Sequence, residues 1–271
     1  MKDFRIVFSD IDGTLLDSHH RILNGTLGAI RALKEAQIPF VIVTARGPSC
    51  VRPIFERYGF TCPMICYSGA LIIDENNNIL HSEGFGANEA RKILSFIEDG
   101  NFPCTWNIYS EELWIVNDRS DERVRIEEDI VEVSATEGNI ELLPKDAVVG
   151  KLLCMCESDD ICDIEDELKK RFPDLSIVKS SDVLLEIMGK DITKASGIKR
   201  LCTDMNIPLS KAVAFGDHFN DAQMLKAVGF PFLMGNAPDE MKKEFSCVIG
   251  NNDEESIASA LQSLGLNICY A

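Results

Sequence analysis

The stretch RIVFSDIDGT, residues 5–14, runs from a short apolar segment into two acidic residues and a glycine. Arg5–Ser9 predicts a buried β-strand that ends at Asp10. Asp10 and Asp12 are two residues apart, so on an extended chain their carboxylates point the same way, and Gly13 permits a sharp departure. In open α/β sheets ligands bind at the carboxyl ends of strands, which favours a site here. An Asp-Gly turn that only reverses the chain is the alternative.

The apolar pattern on either side of this stretch predicts an α/β domain. Leu27, Ile30 and Leu33 recur at helical spacing, and Ile38–Thr44 is a near-continuous apolar and β-branched run, typical of a central parallel strand. Strand, helix and strand in this order form a βαβ unit, whose crossover should be right-handed. The same pattern returns late in the chain, with predicted helices at Ile198–Met205, Gln223–Val228, Asp239–Phe245 and Ser256–Leu264 and predicted strands at Ala212–Phe215 and Phe230–Met234.

The middle of the chain has a different organisation. Amphipathic helices are predicted at Asn88–Glu98 and Ile161–Phe172, and strand-like runs come in adjacent pairs. Adjacent strands with a few helices are typical of an antiparallel sheet with helices on one face. We therefore predict an α/β fold: a doubly wound, Rossmann-like parallel sheet core formed by residues 1–82 and 188–271, split by an inserted α+β domain at residues 83–187.

Charge and composition narrow the range of partners. The 271 residues include 27 basic and 44 acidic side chains, a net charge of −17. Such a chain repels nucleic acid and anionic membranes, so we expect neither as a partner. No apolar run approaches about 18 residues and the first residues lack signal-peptide features, which predicts a cytoplasmic protein without a membrane span. The 10 cysteines show no dense framework and are interpreted as small buried apolar residues rather than zinc ligands.

A second acidic loop follows the predicted strand Ala212–Phe215. It reads Gly216-Asp217-His218-Phe219-Asn220-Asp221 and again places carboxylates directly after a buried strand. A helix cap at Asn220 or Asp221 is the alternative. Two acidic loops at strand ends are more than turn formation requires. Clustered carboxylates need a cation between them, and Mg²⁺ prefers one or two carboxylates together with phosphate oxygens and water.

Three further residues, at two places in the chain, are candidates for binding a phosphoryl group. Thr44 and Ala45 end the strand that begins at Ile38, where a hydroxyl and backbone N–H groups are suited to holding a phosphate oxygen. Lys194 is a point charge suited to the same group. Taken singly, Thr44 is equally explained as a helix cap and Lys194 as a surface lysine. Lys190 and Lys199 lie close enough in the sequence that either is an alternative to Lys194.

In order along the chain, the motifs Asp10-x-Asp12-Gly13-Thr14, Thr44, Lys194 and Gly216-Asp217-x-x-Asn220-Asp221 resemble those of the haloacid dehalogenase superfamily. The insertion and the run Met234-Gly235-Asn236-Ala237 are similar to its Cof-type phosphatase branch.

The resemblance implies that Asp10 is the nucleophile and Asp12 the general acid and base. It implies Mg²⁺ held by Asp10, the Asp12 carbonyl and Asp217, with Asp221 in support. Thr44, Ala45 and Lys194 would bind the phosphoryl group and Asn220 would help order the last loop.

In the same way, the inserted domain would be a mobile cap that selects the substrate. The chain departs from the branch at Ser68, where asparagine is usual, and at Ala45, where glycine is more frequent. Both changes leave the acidic residues intact. Trp106, Tyr109 and Trp114 either pack the core of the insertion or face its substrate, and His218 is a further candidate for contact with the leaving group.

These features predict a Mg²⁺-dependent phosphatase that hydrolyses small phosphate monoesters through an aspartyl-phosphate. The resemblance implies sugar phosphates as the first substrate class, with phosphorylated cofactors such as pyridoxal phosphate or a flavin nucleotide behind them. A phosphomutase with the same intermediate is one alternative. A non-catalytic regulator that binds metal or phosphate is another, although such a protein has no need of a nucleophile. The sequence leaves the physiological substrate and the oligomeric state open.

Overall fold

The structure is a computed structural model that describes residues 3–268. Contacts between residues divide the chain into two compact units. The first contains the chain up to Ala45, Cys62–Asn78 and the chain from Thr193 onward. The second contains Arg46–Thr61 and Ile79–Ile192.

Fifteen strands and nine α-helices lie within the described residues. The strands are β1 Ile6–Ser9, β2 Phe40–Val43, β3 Met64–Cys66, β4 Leu71–Ile73, β5 Ile79–Ser82, β6 Phe85–Gly86, β7 Cys104–Ser110, β8 Leu113–Val116, β9 Thr136–Glu137, β10 Val148–Val149, β11 Lys151–Cys156, β12 Leu175–Lys179, β13 Leu184–Gly189, β14 Ala212–Gly216 and β15 Phe230–Leu233. The helices are α1 Asn24–Glu35, α2 Arg52–Tyr58, α3 Ala87–Asp99, α4 Glu122–Val131, α5 Ile161–Arg171, α6 Lys194–Asp204, α7 Ala222–Ala227, α8 Asp239–Lys242 and α9 Ser256–Ser263. In residues 3–268, none of these helices has the length and apolar character needed to cross a membrane.

The first unit is built on a mostly parallel sheet with the strand order β15-β14-β1-β2-β3-β4. β1 lies at its centre and pairs in parallel with β14 on one side and β2 on the other. β15 and β3 extend the parallel pairing outward, and β4 runs antiparallel to β3. The predicted α/β sheet core is confirmed.

Both faces of this sheet are covered, which explains the near-continuous apolar strands. Ile6 and Phe8 share one core with the apolar residues of α6 and α7. Val7 points to the opposite face and is also fully buried. The helices pack in two pairs, α6 with α7 and α1 with α9, as expected for a doubly wound fold.

Helix α6 begins four residues earlier than its apolar pattern predicts. Thr193 forms a capping box with Ser196: each side chain accepts a hydrogen bond from the other residue's backbone N–H. The periodicity signal begins only at Ile198 because the first turn of the helix has no large apolar residue. Lys194 is therefore the first residue of a helix rather than part of a loop.

The second unit contains a six-stranded sheet with the order β12-β13-β11-β7-β8-β9. All of its pairings are antiparallel except that of β8 with β9. Apolar residues of α3 and α5 form one core with one face of this sheet. Trp106 belongs to that core. Tyr109 and Trp114 lie on the opposite face of the sheet, where their rings stack with centroids 5.8 Å apart.

Two features of the second unit were not anticipated. Helix α4 was not predicted from the sequence. Its apolar pattern is weak because Val124 and Val131 are its only buried residues. Helix α2, assigned from the sequence to residues 1–82, groups with the second unit, where it forms ion pairs from Arg52 to Glu112 and from Arg57 to Glu132. The division into a core at 1–82 and 188–271 and a cap at 83–187 stays a prediction about function.

Candidate active site

Two acidic loops meet at one edge of the first unit because their strands are neighbours. Asp10 directly follows β1, and Asp217 directly follows β14. The two strands pair in parallel, and the Asp10 backbone N–H donates to the Phe215 carbonyl oxygen at 3.1 Å. The carboxyl ends of both strands thus present their acids at the same place, as the strand-edge argument predicts.

Lys194 joins the two loops through a pair of buried ionic hydrogen bonds. Its Nζ donates to Oδ1 of Asp10 at 2.7 Å and to Oδ1 of Asp221 at 2.6 Å. The Lys194 side chain is only 1% exposed. Lys190 and Lys199, by contrast, are exposed. Burial in the fold therefore distinguishes Lys194 from two lysines that the sequence leaves equivalent to it.

Asp217 is held by the loop that follows β1. The Thr14 hydroxyl donates to Oδ1 of Asp217 at 2.7 Å. Gly13 has φ +76°, and a Cβ there would lie 2.4 Å from Oδ2 of Asp217. Only glycine fits this approach, which gives a steric reason for the glycine in the motif Asp10-x-Asp12-Gly13-Thr14.

Asp221 is fully buried and its oxygens already have partners. Oδ2 accepts hydrogen bonds from the backbone N–H groups of Asp217 and His218, at 3.0 and 3.1 Å. Oδ1 accepts from Lys194. Its contacts therefore shape the acidic loop and orient the lysine.

Burial and neighbouring charges shift the pKa values of Asp10, Lys194 and Asp217. Burial raises the pKa of the Asp10 carboxyl well above its ordinary value; Lys194 opposes this, and the neighbouring carboxylates reinforce it. Burial alone lowers the pKa of Lys194, but the charges of Asp10 and Asp221 outweigh it and the net pKa is raised. Burial, supported by Asp221, raises the pKa of Asp217 to about 6 although the Thr14 hydrogen bond opposes the shift.

The chemistry of the cluster suits a divalent cation. Asp10, Asp217 and Asp221 each offer an oxygen, and these oxygens all lie within 4.8 Å of one another. One lysine faces three carboxylates, so negative charge remains in excess. Hard oxygen ligands are those that Mg²⁺ prefers.

The remaining predicted site residues are distributed around this cluster. Asp12 is exposed, two residues beyond Asp10. Thr44 is buried at the end of β2, beside β1, and Ala45 follows it half-buried. Asn220 lies exposed on the acidic loop, and among the described residues no hydrogen bond joins its side chain to the cluster.

The loop at residues 67–69 lies against the end of β2 and the start of α6, the elements that position Thr44 and Lys194. The Ser68 N–H donates to the Thr44 carbonyl at 2.9 Å, with Ser68 buried in the left-handed region at φ 53°. The neighbouring Gly69, at φ +117°, approaches the Thr193 carbonyl so closely that a Cβ would lie 2.2 Å from it.

Two residues of the site received no role from the sequence. Thr14 and Asn236 both hydrogen-bond to Asp217, at 2.7 and 3.5 Å. Asn236 follows β15, the parallel neighbour of β14. The strand-edge rule that selected Asp217 therefore applies equally to Asn236, and a polar residue after that strand was the available signal.

Comparison with known proteins agrees with this geometry. Residues 7–261 match the sequence profile of the haloacid dehalogenase-like hydrolases. A predicted phosphatase of Haemophilus influenzae is 34% identical over 263 residues, covering 96% of this chain and 97% of the relative. Among solved structures, a haloacid dehalogenase-like hydrolase from Bacteroides thetaiotaomicron gives a TM-score of 0.87 at 21% identity, covering 96% of this chain and 99% of that one.

A second solved structure is the subclass IIB sugar phosphatase BT4131, with a TM-score of 0.81 at 22% identity and coverage of 97% and 100%. The chain belongs to the haloacid dehalogenase-like hydrolase family. The family membership and the hydrolase class expected from the motifs are thereby confirmed.

Proposed function

We propose that this hydrolase cleaves small phosphate monoesters, with sugar phosphates as the first class to test, through an aspartyl-phosphate on Asp10. The observation that carries the proposal is the buried Lys194, which contacts both Asp10 and Asp221 within 2.7 Å. A lysine held beside a nucleophilic carboxylate is placed to attract an anionic phosphoryl group. The likeness to a sugar phosphatase supports the substrate class.

In the first step an Asp10 carboxylate oxygen attacks phosphorus and the bond to the leaving oxygen breaks. The positive charge of Lys194 favours the ionised form of Asp10 and opposes the effect of burial. Two of its three N–H bonds are used by Asp10 and Asp221, and we assign the third to a phosphoryl oxygen. We assign Thr44 and the backbone of Ala45, at the end of the neighbouring strand, to the same group.

Asp12 acts as the proton carrier. Its carboxyl gives a proton to the leaving oxygen, and the resulting carboxylate takes a proton from the water that attacks the aspartyl-phosphate. That attack breaks the bond between phosphorus and the Asp10 oxygen and releases inorganic phosphate. Asp12 is exposed, which suits a group that must exchange protons with substrate and water.

Asp10, Asp217 and the Asp12 carbonyl are the residues we assign to Mg²⁺, with Asp221 supporting them through the loop and Lys194. When bound, Mg²⁺ supplies positive charge to these carboxylates and to the phosphoryl oxygens. Thr14 holds the Asp217 carboxylate in position for this role, and Gly13 leaves room for it.

The experiment is phosphate release from a panel of phosphate monoesters, with Mg²⁺ or with EDTA. Asp10→Asn should lower turnover by about a thousandfold or more, since the amide is not a nucleophile. Asp99→Asn, which changes an exposed aspartate of α3, is the matched control and should keep wild-type turnover. Equal turnover in Asp10→Asn and wild type would contradict the proposed nucleophile.

The same assay separates the alternatives. A phosphomutase releases little phosphate and interconverts sugar phosphates only after activation by a bisphosphate, which a chromatographic assay of the products detects. A non-catalytic regulator gives no product in either assay, yet still binds its phosphorylated ligand after Asp10→Asn.

A further inference from the structure

Asn236 connects the two loops that carry the acidic cluster. Its Nδ2 donates to the Gly13 carbonyl oxygen at 2.8 Å and lies 3.5 Å from Oδ2 of Asp217. The first contact holds the loop after β1, and the second reaches the acid after β14. The side chain thus spans three neighbouring strands, because it follows β15 itself.

The orientation of the Asn236 amide is set by a third contact. Its Oδ1 accepts a hydrogen bond from the backbone N–H of Asn252 at 3.2 Å. A flipped amide would place oxygen against the Gly13 and Asp217 oxygens and nitrogen against an N–H donor. The Asn252 side chain anchors this segment in turn by donating to the Leu16 carbonyl at 2.9 Å.

Asn236 and Thr14 contact different oxygens of the same carboxylate. Thr14 donates to Oδ1 of Asp217 and Asn236 approaches Oδ2, while Gly13 leaves room for both. A carboxylate held from two sides cannot rotate away from the other acids of the cluster. Polar partners that orient metal ligands in this way commonly change metal affinity by about 10- to 100-fold when they are removed.

We infer that Asn236 is a positioning residue for the divalent cation: it orients Asp217 and the Gly13 peptide, and through them sets the affinity for the ion. The inference rests on the proposed function, since it assumes that the acidic cluster binds Mg²⁺. Asn236 is itself exposed and has no direct part in the assigned chemistry. Loss of an exposed hydrogen bond alters folding stability little, so a purely structural role and a metal-positioning role give different results.

The test is direct binding of Mg²⁺ by calorimetry and of Mn²⁺ by electron paramagnetic resonance to the full-length protein. The variants are Asn236→Ala, which removes the amide, and Asn236→Leu, which keeps nearly the same shape without a donor. Gln262→Ala, an exposed amide on α9, is the matched control. The melting temperature of each metal-free variant is measured alongside.

Both Asn236 variants should raise the Kd for Mg²⁺ and Mn²⁺ by about tenfold or more. Their metal-free melting temperatures should stay within about 2 °C of wild type. The control should match wild type in both measurements. Kd values within about twofold of wild type, or a large fall in melting temperature, would overturn the inference.

The test distinguishes a failure of the proposed function from a failure of this inference, because the former is detected in the wild-type protein. If wild type binds neither ion, the metal assignment and this inference fall together. If wild type binds Mg²⁺ and the Asn236 variants bind it equally well, only the role of Asn236 is refuted.

Discussion

At the residue level, the site depends on how one buried lysine is surrounded. A buried ammonium is costly unless it is paired, and Lys194 has two carboxylate partners. The contact with Lys194 stabilises the charge of Asp10 in part, although burial still raises the pKa of this carboxyl above its ordinary value. Removing Lys194 would leave buried carboxylates without their cation, so function and stability are coupled at this position.

A residue outside the acidic cluster gives a clear prediction for pH. Hydrogen bonds from Arg123, opposed by partial burial and supported by Thr105, lower the pKa of Asp121 from 3.8 to about 2. A lowered folded-state pKa contributes stability that is fully present above the unfolded value of 3.8 and is lost as the pH falls toward about 2.

Asp121→Asn should therefore reduce the free energy of unfolding by about 1–2 kcal/mol at pH 7, since asparagine can still cap α4 but carries no charge. The difference from wild type should shrink between about pH 4 and pH 2. Urea unfolding across this range measures it, with the exposed Asp174→Asn as control. A difference that is independent of pH would show that the ion pair is not its source.

At the level of elements, the start of α6 is positioned by close packing of backbone. Gly197, in the first turns of α6, lies against the loop at residues 67–69. A Cβ on it would be 3.0 Å from the Cα of Gly69 and 2.6 Å from a methyl group of Ile65. The helix that carries Lys194 thus approaches the loop that contacts Thr44, and no side chain fits between them.

Gly197→Ala should destabilise the protein by about 1–3 kcal/mol, because overpacking outweighs the roughly 1 kcal/mol that alanine ordinarily contributes in a helix. Phosphatase turnover should fall as well, since Lys194 shifts with the helix. Gly86→Ala is the control: a Cβ there meets no atom within 4 Å. If Gly197→Ala gained stability and kept full turnover, the close approach would have no role in the site.

At the level of the whole molecule, charge decides how the protein responds to ions. The net charge of −17 means that any salt screens repulsion and stabilises the fold somewhat. A specific metal site adds a separate effect, because an ion that binds only the folded state stabilises it by about 2.7 kcal/mol at 100 times its Kd.

Mg²⁺ at saturation should therefore raise the melting temperature of the EDTA-treated protein by about 5 °C more than NaCl of equal ionic strength. Differential scanning calorimetry measures this and reports each transition if the two units unfold separately. Asp217→Asn should lose the increment specific to Mg²⁺ and keep the effect of NaCl. Equal shifts with both salts would argue for screening alone.

Much of the fold follows from local pattern. The strands β1, β2, β11, β14 and β15 and most helices were predictable because long apolar runs and helical periodicity record burial directly. Asp10, Asp12, Asp217 and Asp221 were likewise available from the sequence, since acids and a glycine directly after buried strands mark a sheet edge. The superfamily could be identified from the order of these motifs.

Other features depend on contacts between distant parts of the chain. Lys194 differs from Lys190 and Lys199 only because α6 begins at the Thr193 capping box and packs against Gly69. Helix α4 has too few buried residues to produce a pattern, and Asn236 reaches Asp217 through the pairing of β15 with β14. Periodicity along the chain reports which residues are buried, whereas hydrogen bonds between residues some 200 positions apart, such as that from Thr14 to Asp217, arise only when the strands assemble.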